Sequence, residues 1–213
     1  MKKFFVGCYN KSVILTYLGV GFSVFGMLYL TNAIQLESIN RVDISMICLI
    51  VAGICDLFDG FIARKCNRNE QEKLFGVQID SLADVISFLI FPVILLDQFN
   101  QKLYGENIVL YLLAIFYILC GVIRLAWFNS NVGETVNRYY QGLPVTYISL
   151  ILPVYYAVSK IVRLDWFGIG LNIIFVIVAI LFILNIKIKK PGGIWYVFFS
   201  VLAIGTSVVI IYM

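Results

Sequence analysis

Four aspartates in one short stretch of the chain could together hold divalent cations. Asp56 and Asp59 are three residues apart, and Asp80 and Asp84 are four residues apart. Residues at these spacings share one face of a helix, so each pair presents two carboxylates side by side. Only a short basic segment separates the two pairs. This spacing predicts two antiparallel neighbouring helices that bring all four carboxylates to one end.

Crowded carboxylates need positive charge nearby, because like charges repel and some groups would otherwise have to protonate. The chain contains no histidine, which excludes His-based zinc sites and Ser-His-Asp triads. Oxygen ligands alone favour Mg²⁺, Mn²⁺ or Ca²⁺, and Mg²⁺ is usually shared between protein carboxylates and substrate phosphates. The aspartates therefore indicate metal-assisted chemistry on a phosphate-containing substrate.

Small residues and an arginine accompany the aspartates. Gly60 and Gly76 leave part of the helix surface without a side chain, so a nucleotide or diphosphate can approach the backbone. Ala63 adds only a methyl group to the same surface. Arg64 offers a planar fork of donors for phosphate oxygens. Each residue alone is more often explained by helix packing or membrane topology. Their combination with four aspartates favours a binding site.

The composition places these residues in a membrane protein. Of 213 residues, 62% are hydrophobic and 13% are charged, against roughly 45–50% and about 25% in soluble domains. The mean hydropathy is +0.95. We expect an all-α, polytopic transmembrane bundle that forms a single domain over residues 1–213. Apolar runs long enough to cross a bilayer predict spans at 12–32, 44–63, 82–98, 108–128, 143–162, 166–186 and 194–213.

The short polar turn at residues 163–166 is the weakest boundary, so a count of six spans is the alternative to seven. The basic residues predict the orientation, since cytoplasmic loops carry an excess of Lys and Arg. With seven spans, the N-terminus and the segment 64–80 are cytoplasmic. The cytoplasmic side then holds Lys2, Lys3, Lys11, Arg64, Lys65, Arg68, Lys73, Arg124, Arg138, Lys187, Lys189 and Lys190, and the opposite side holds Arg41, Lys102, Lys160 and Arg163.

The stretch from Asp56 to Asp84 resembles the signature of the CDP-alcohol phosphatidyltransferases, D-x-x-D-G-x-x-A-R, a spacer, and G-x-x-x-D-x-x-x-D. The resemblance implies a bundle of six core helices, here with one additional span. It also implies displacement of CMP from a CDP-linked lipid by an alcohol, at a two-metal site facing the cytoplasm. Every fixed position of the signature is present, as Asp56, Asp59, Gly60, Ala63, Arg64, Gly76, Asp80 and Asp84.

The spacer resembles that of one branch of the family. Eleven residues separate Arg64 from Gly76, a length typical of the phosphatidylserine synthases, and the stretches 75–84, 121–129 and 142–144 also look like that branch. Two positions depart from it, since Trp127 replaces a basic residue and Val13 replaces an asparagine. The resemblance thus implies CDP-diacylglycerol and L-serine as substrates.

The resemblance also implies roles for individual residues. Asp56, Asp59, Asp80 and Asp84 would bind two Mg²⁺ or Mn²⁺ ions, and Asp84 would also take the proton of the serine hydroxyl. Arg124 and Asn129 are candidates for binding the acceptor, although Arg124 could instead snorkel to the membrane interface. Members of the family are commonly homodimers, which we expect here too. Candidates for binding the CDP-lipid are Gly60, Ala63, Arg64, Lys73, Gly76 and Ser81.

Two alternatives stay open at this point, another acceptor within the same family and a different class of function. The acceptor could be glycerol 3-phosphate, inositol or inositol phosphate within the same family. Intramembrane aspartates could also line a cation or proton transporter, although carboxylates at helix ends beside glycines fit that reading poorly. The dispersed basic residues disfavour nucleic acid as a partner. We expect an integral membrane enzyme among membrane lipids, in the plasma membrane if the source is a prokaryote.

Overall fold

The computed structural model describes residues 7, 13–31, 40–66, 68–130, 139–189 and 193–213. Within these ranges the chain is almost entirely helical. A π-helical turn, Val85–Ile90, joins the third and fourth helices, and a 3₁₀ turn, Val145–Tyr147, leads into the sixth. The helices are α1 (Ile14–Leu30), α2 (Arg41–Lys65), α3 (Glu70–Asp84), α4 (Phe91–Tyr104), α5 (Ile108–Ser130), α6 (Ile148–Val162), α7 (Phe167–Ile183) and α8 (Ile194–Tyr212).

The helices confirm a polytopic membrane bundle. Each predicted apolar run coincides with one helical segment, although the ends of the first run lie outside the described residues. Two shorter apolar helices, α1 and α7, have 17 residues each, near the lower limit for a span. Five segments are long and apolar enough to cross a membrane: Arg41–Ala63, Glu70–Tyr104, Ile108–Ser130, Val145–Val162 and Ile194–Tyr212.

The weakest predicted boundary is a true helix break. Helix α6 ends at Val162, and Arg163 adopts a left-handed conformation with φ of 52°. Few residues other than glycine take this conformation, and it turns the chain out of the helix. Helix α7 begins four residues later at Phe167. Residues 143–162 and 166–186 therefore belong to two separate helices, and the number of spans stays a prediction.

Most of the basic segment between the aspartate pairs is helical. Helix α2 continues to Lys65, and α3 begins at Glu70, so only residues 66–69 connect them. Asn69 stops the chain from fraying there: its side chain accepts from the Glu72 N–H at 2.8 Å, while the Glu72 carboxylate accepts from the Asn69 N–H at 3.0 Å. This capping box starts the helix early. The predicted span 82–98 is thus the middle of a longer helical segment.

The π-helical turn follows directly after Asp84 and has an identifiable cause. Pro92 has no backbone N–H to donate, which disturbs the helix at the junction of the turn with α4. The carbonyl of Phe88, four residues earlier, accepts a hydrogen bond from the Tyr117 hydroxyl at 2.9 Å. Such turns are frequent at functional sites. Here the turn ties the end of α3 to α5.

Small residues bring the central helices close together. A Cβ atom at Gly26 of α1 would lie 2.5 Å from the Phe91 ring, and the Ser45 hydroxyl donates to the Gly26 carbonyl at 2.9 Å. A Cβ atom at Gly53 of α2 would overlap Ser149 of α6. Close approach through small residues is typical of membrane helices. Helix α2 therefore occupies the centre, in contact with α1, α6 and α8.

The sequence patterns do not predict a short two-stranded ribbon that the structure contains. Strand β1 (Tyr139–Gln141) pairs antiparallel with β2 (Lys187–Lys189), with Tyr140 opposite Ile188. The chain then turns at Gly142, whose φ is +74°, and a Cβ atom there would lie 2.5 Å from the Phe182 carbonyl oxygen. Only glycine fits such a position. The ribbon joins the start of α6 to the end of α7 within an otherwise all-α fold.

Candidate functional site

A cavity of about 260 Å³ lies between α2, α3, α5, α6 and α8, and all four aspartates face it. Its volume is just below the roughly 300–1,000 Å³ of typical ligand pockets. The structure therefore brings together the two carboxylate pairs that the spacing placed at one end. The other polar or small residues on the wall include Gly60, Ser81, Arg124 and Tyr147, and the apolar part includes Ile50, Ile54, Leu150, Tyr196, Phe199 and Ala203.

The carboxylates associate across helices. Asp59 of α2 is 7% exposed, and its Oδ2 atom lies 3.2 Å from the hydroxyl of Thr16 on α1. Asp80 of α3 places its Oδ1 atom at the same distance from that hydroxyl. A hydroxyl has one proton to donate, so the two carboxylates share a single donor. Thr16 thereby joins α2 to α3 at the site.

The other two carboxylates form a second pair across the same helices. The carboxyl groups of Asp56 and Asp84 lie within hydrogen-bonding reach of each other, and Arg124 of α5 is close to both. Arg124 is 7% exposed and lines the cavity, so its side chain lies inside the bundle. Its guanidinium also lies 5.4 Å from the centre of the Phe128 ring. Arg124 thus supplies positive charge beside the carboxylates.

The residues predicted to bind the CDP-lipid separate into two groups. Gly60 and Ser81 line the cavity, whereas Ala63 does not, and Lys73 is exposed on the first turn of α3. Arg64 lies one turn beyond Gly60 in α2, and its side chain lies outside the described residues.

Gly76 does not present bare helix surface to the cavity. It is buried, and a Cβ atom there would lie 3.1 Å from Nη1 of Arg68. Arg68 also lies close enough to Asp80 for their charges to interact. The guanidinium of Arg68 therefore occupies the space above Gly76.

Asn129, the second residue predicted to bind the acceptor, contacts a residue of the cavity wall and not the cavity itself. The Ser81 hydroxyl donates to its Oδ1 atom at 3.0 Å, while Asn129 itself does not line the cavity. The hydrogen bond crosses from α3 to α5. Asn129 thus holds Ser81 in place on the cavity wall.

Thr16 is a site residue that the motif analysis misses, because it lies 40 residues before Asp56 along the chain. A signal is nevertheless present in α1. Thr16, Gly19, Ser23 and Gly26 are all buried and follow one another at intervals of three or four residues, which places them on one helix face. A stripe of small and polar residues in an apolar helix indicates the face that packs inward.

The donor types suit hard divalent cations, although among the described residues no three Asp, Glu or Cys side chains are grouped closely enough to hold one ion. Four carboxylates and the Thr16 hydroxyl provide oxygen atoms, which Mg²⁺ and Mn²⁺ prefer. Arg124 is the one basic residue among the described residues on the cavity wall. Buried charges are stable only when they are paired or bind metal, so the cavity has an excess of negative charge for cations to balance.

Fold and site together define a multi-span helical membrane protein with a carboxylate-lined cavity. The sequence profile named CDP-alcohol phosphatidyltransferase matches residues 10–202. The match covers most of the 213 residues, including all of α2, α3, α5 and α6 and the first half of α8. This chain therefore belongs to the CDP-alcohol phosphatidyltransferase family.

Curated relatives carry serine in their names. The CDP-diacylglycerol--serine O-phosphatidyltransferase of Saccharomyces cerevisiae is 34% identical over 48% of this chain and 38% of its own length. The archaetidylserine synthase of Methanothermobacter thermautotrophicus is 29% identical over 76% of this chain and 64% of its own. The Bacillus subtilis CDP-diacylglycerol--serine O-phosphatidyltransferase is 30% identical over 52% of this chain and 59% of its own length. The chain thus spans less than two thirds of each of these relatives.

The charge balance of the site leads to a stability prediction. Arg124→Met removes the positive charge that acts on Asp56 and Asp84, and carboxylates inside the bundle that lose nearby positive charge destabilise the folded state. In detergent with a chelator, we expect a lower midpoint of thermal unfolding. The double variant Arg124→Met/Asp56→Asn should recover more than half of the loss, because it also removes one negative charge. The exposed Arg163→Met is the matched control, and an equal loss there would contradict the prediction.

Proposed function

We propose that this protein transfers the phosphatidyl group of CDP-diacylglycerol to L-serine, giving phosphatidylserine and CMP. One observation carries the proposal: four carboxylates from two helices and a buried arginine surround a single cavity in a membrane bundle. Membership of the family supports the reaction class. The serine-specific names of its relatives support the choice of acceptor.

Asp56, Asp59, Asp80 and Asp84 would hold two Mg²⁺ or Mn²⁺ ions between protein and diphosphate. When bound, such ions neutralise the charge that develops on the phosphate oxygens and on departing CMP. Thr16 donates to Asp59 and Asp80, and this contact orients both carboxylates toward the cavity. Partners behind metal ligands commonly affect metal affinity by about 10–100-fold.

The reaction forms one bond and breaks one at the phosphorus that bears the diacylglycerol. The serine hydroxyl oxygen bonds to this phosphorus. The bond between this phosphorus and the oxygen that bridges the two phosphates breaks, and CMP leaves with that oxygen. We assign Asp84 to accept the proton of the serine hydroxyl. An aspartate in water is a weak base, so the role depends on the carboxylates and cations around Asp84.

Arg124 is our candidate for binding the serine carboxylate. Its planar guanidinium can form two parallel hydrogen bonds with a carboxylate, and it lines the cavity next to Asp84. Gly60 and Ser81 would contact the CDP portion. Arg64, Lys73, Ala63 and Gly76 are assigned to the same substrate on the signature alone.

The whole chain would act as one domain with its site open to the cytoplasm, as the distribution of Lys and Arg favours. We also propose that the protein forms a homodimer and that it lies in the plasma membrane of a prokaryote.

A direct assay tests the proposal. Protein purified in detergent is mixed with CDP-diacylglycerol, and CMP release and lipid mass are followed with serine, inositol, inositol phosphate or glycerol 3-phosphate. We expect CMP release and phosphatidylserine with serine alone, only when Mn²⁺ or Mg²⁺ is present. Turnover of a different alcohol would overturn the acceptor assignment. Failure of every alcohol with folded protein would overturn the reaction class and favour a transporter.

Asp84→Asn tests the proposed base. The amide keeps the size of the side chain but cannot take a proton, so we expect kcat to fall by about a hundredfold or more, within the usual contribution of a general base. The variant should still insert into membranes and remain monodisperse. Asp165→Asn, in the exposed turn before α7, is the control. A kcat near that of the unmodified protein would refute the role of Asp84.

Arg124→Lys tests acceptor binding while it preserves the positive charge. Lysine lacks the planar fork of arginine, so we expect KM for serine to rise about tenfold, in line with a hydrogen bond between charged groups. KM for CDP-diacylglycerol should change less than twofold. Equal changes in both KM values, or none in the value for serine, would count against the assignment.

A further inference from the structure

Helix α8 presents one continuous stripe toward the rest of the bundle. Tyr196, Phe199 and Ala203 line the cavity, and Thr206 and Ile210 are buried further along the same helix. These residues follow one another at intervals of three or four, so they share one face. The residues on the opposite face, which are all exposed, include Val197, Val201, Ile204 and Val208. The last span is therefore a wall of the site.

The wall of the cavity changes from polar to apolar along α2. Asp59 lies at the polar end, and Ile50 lies nine residues earlier, about 13 Å deeper along the helix. Ile54, Leu150 and Ala203 also line the cavity. A ligand that fills the cavity must be charged at one end and apolar at the other.

The size of the cavity defines which part of such a ligand it holds. A volume of about 260 Å³ is below that of most drug-sized ligand sites, so a whole diacyl lipid does not fit. The long chains must lie outside, in the bilayer.

We propose that the inner face of α8, formed by Tyr196, Phe199 and Ala203, binds the glyceride portion of the lipid substrate along the apolar side of the cavity. The proposal rests on the function proposed above and adds a binding surface to it. Phe199 is held edge-on against Tyr147 with ring centres 5.7 Å apart, and Tyr196 contacts Phe58 of α2 at 6.2 Å. These aromatic contacts orient the face toward α2 and α6.

A buried ion pair holds α8 at its far end. The Lys160 ammonium lies 2.7 Å from Oδ1 of Asp43 and donates to the carbonyl of Ile210 at 3.0 Å. The Tyr156 hydroxyl donates to the same oxygen of Asp43 at 2.7 Å. The pair therefore connects α2, α6 and α8 about 16 Å from Phe199 along α8. Lys160 is a positioning residue that fixes α8 against the core.

Phe199→Ala tests the lipid-binding face. Loss of the ring removes apolar contact with the substrate, so we expect KM for CDP-diacylglycerol to rise about fivefold or more. KM for serine and the affinity for CDP, measured by titration calorimetry, should change less than twofold. Phe198→Ala is the matched control, because Phe198 is the same residue type on the next position and is 52% exposed. Equal KM values for the lipid in both variants would overturn the proposal.

The anchoring role is tested with a pair of variants. Asp43→Asn/Lys160→Met removes both charges, and we expect KM for the lipid to rise about threefold with KM for serine unchanged. Lys160→Arg should restore the KM of the unmodified protein, since it keeps the charge and a donor for Ile210. A double variant that no longer folds would assign the pair to global stability and overturn the anchoring role.

The unmodified protein separates the two proposals. If it turns over CDP-diacylglycerol but Phe199→Ala matches Phe198→Ala, only the binding face fails. If it turns over no alcohol but binds CDP-diacylglycerol more tightly than CDP, and Phe199→Ala abolishes that difference, the face stands and the reaction fails. If it binds neither ligand, both proposals fail.

Discussion

The fold is organised around four carboxylates that line one cavity within a membrane bundle, one of them buried and three half-buried. A charged group inside a bilayer is costly, so each aspartate must find a donor or a cation among its neighbours. Thr16 reaches Asp59 and Asp80, and Arg124 lies beside the other pair. Helices α1 and α5 are thereby required to pack against α2 and α3, although neither carries part of the aspartate motif.

Close packing of the helices is what makes this arrangement possible. Gly26 allows α1 to approach α2 and α4 closely, and Gly53 allows α2 to approach α6 closely, as is common in membranes. The π-helical turn after Asp84 is fixed by the Tyr117 hydroxyl, so α5 is in register with the site. At the other end of the bundle, Asp43 and Lys160 hold α8 in the same way. Polar contacts at both ends thus position apolar helices between them.

The sequence predicted the main features of the fold because their signals are local. Apolar runs gave every helical segment, and the i, i+3 and i, i+4 spacing gave the aspartate pairs, which share the cavity. The capping box at Asn69 and Glu72 is also a local signal, but it lies in a polar, basic segment outside the apolar runs that predict the spans. The ribbon between β1 and β2 joins residues about 48 positions apart, and short strands without alternation carry no signal.

The sequence by itself determined the class of protein and the chemistry of its site, since hydropathy and a motif within one stretch are properties of neighbouring residues. Tertiary structure alone decided which carboxylate pairs with which, that Arg124 points inward, and that Thr16 and α8 belong to the site. Arg68 over Gly76 is a further example. These facts depend on contacts between residues far apart in the chain, and such contacts arise only when the helices pack.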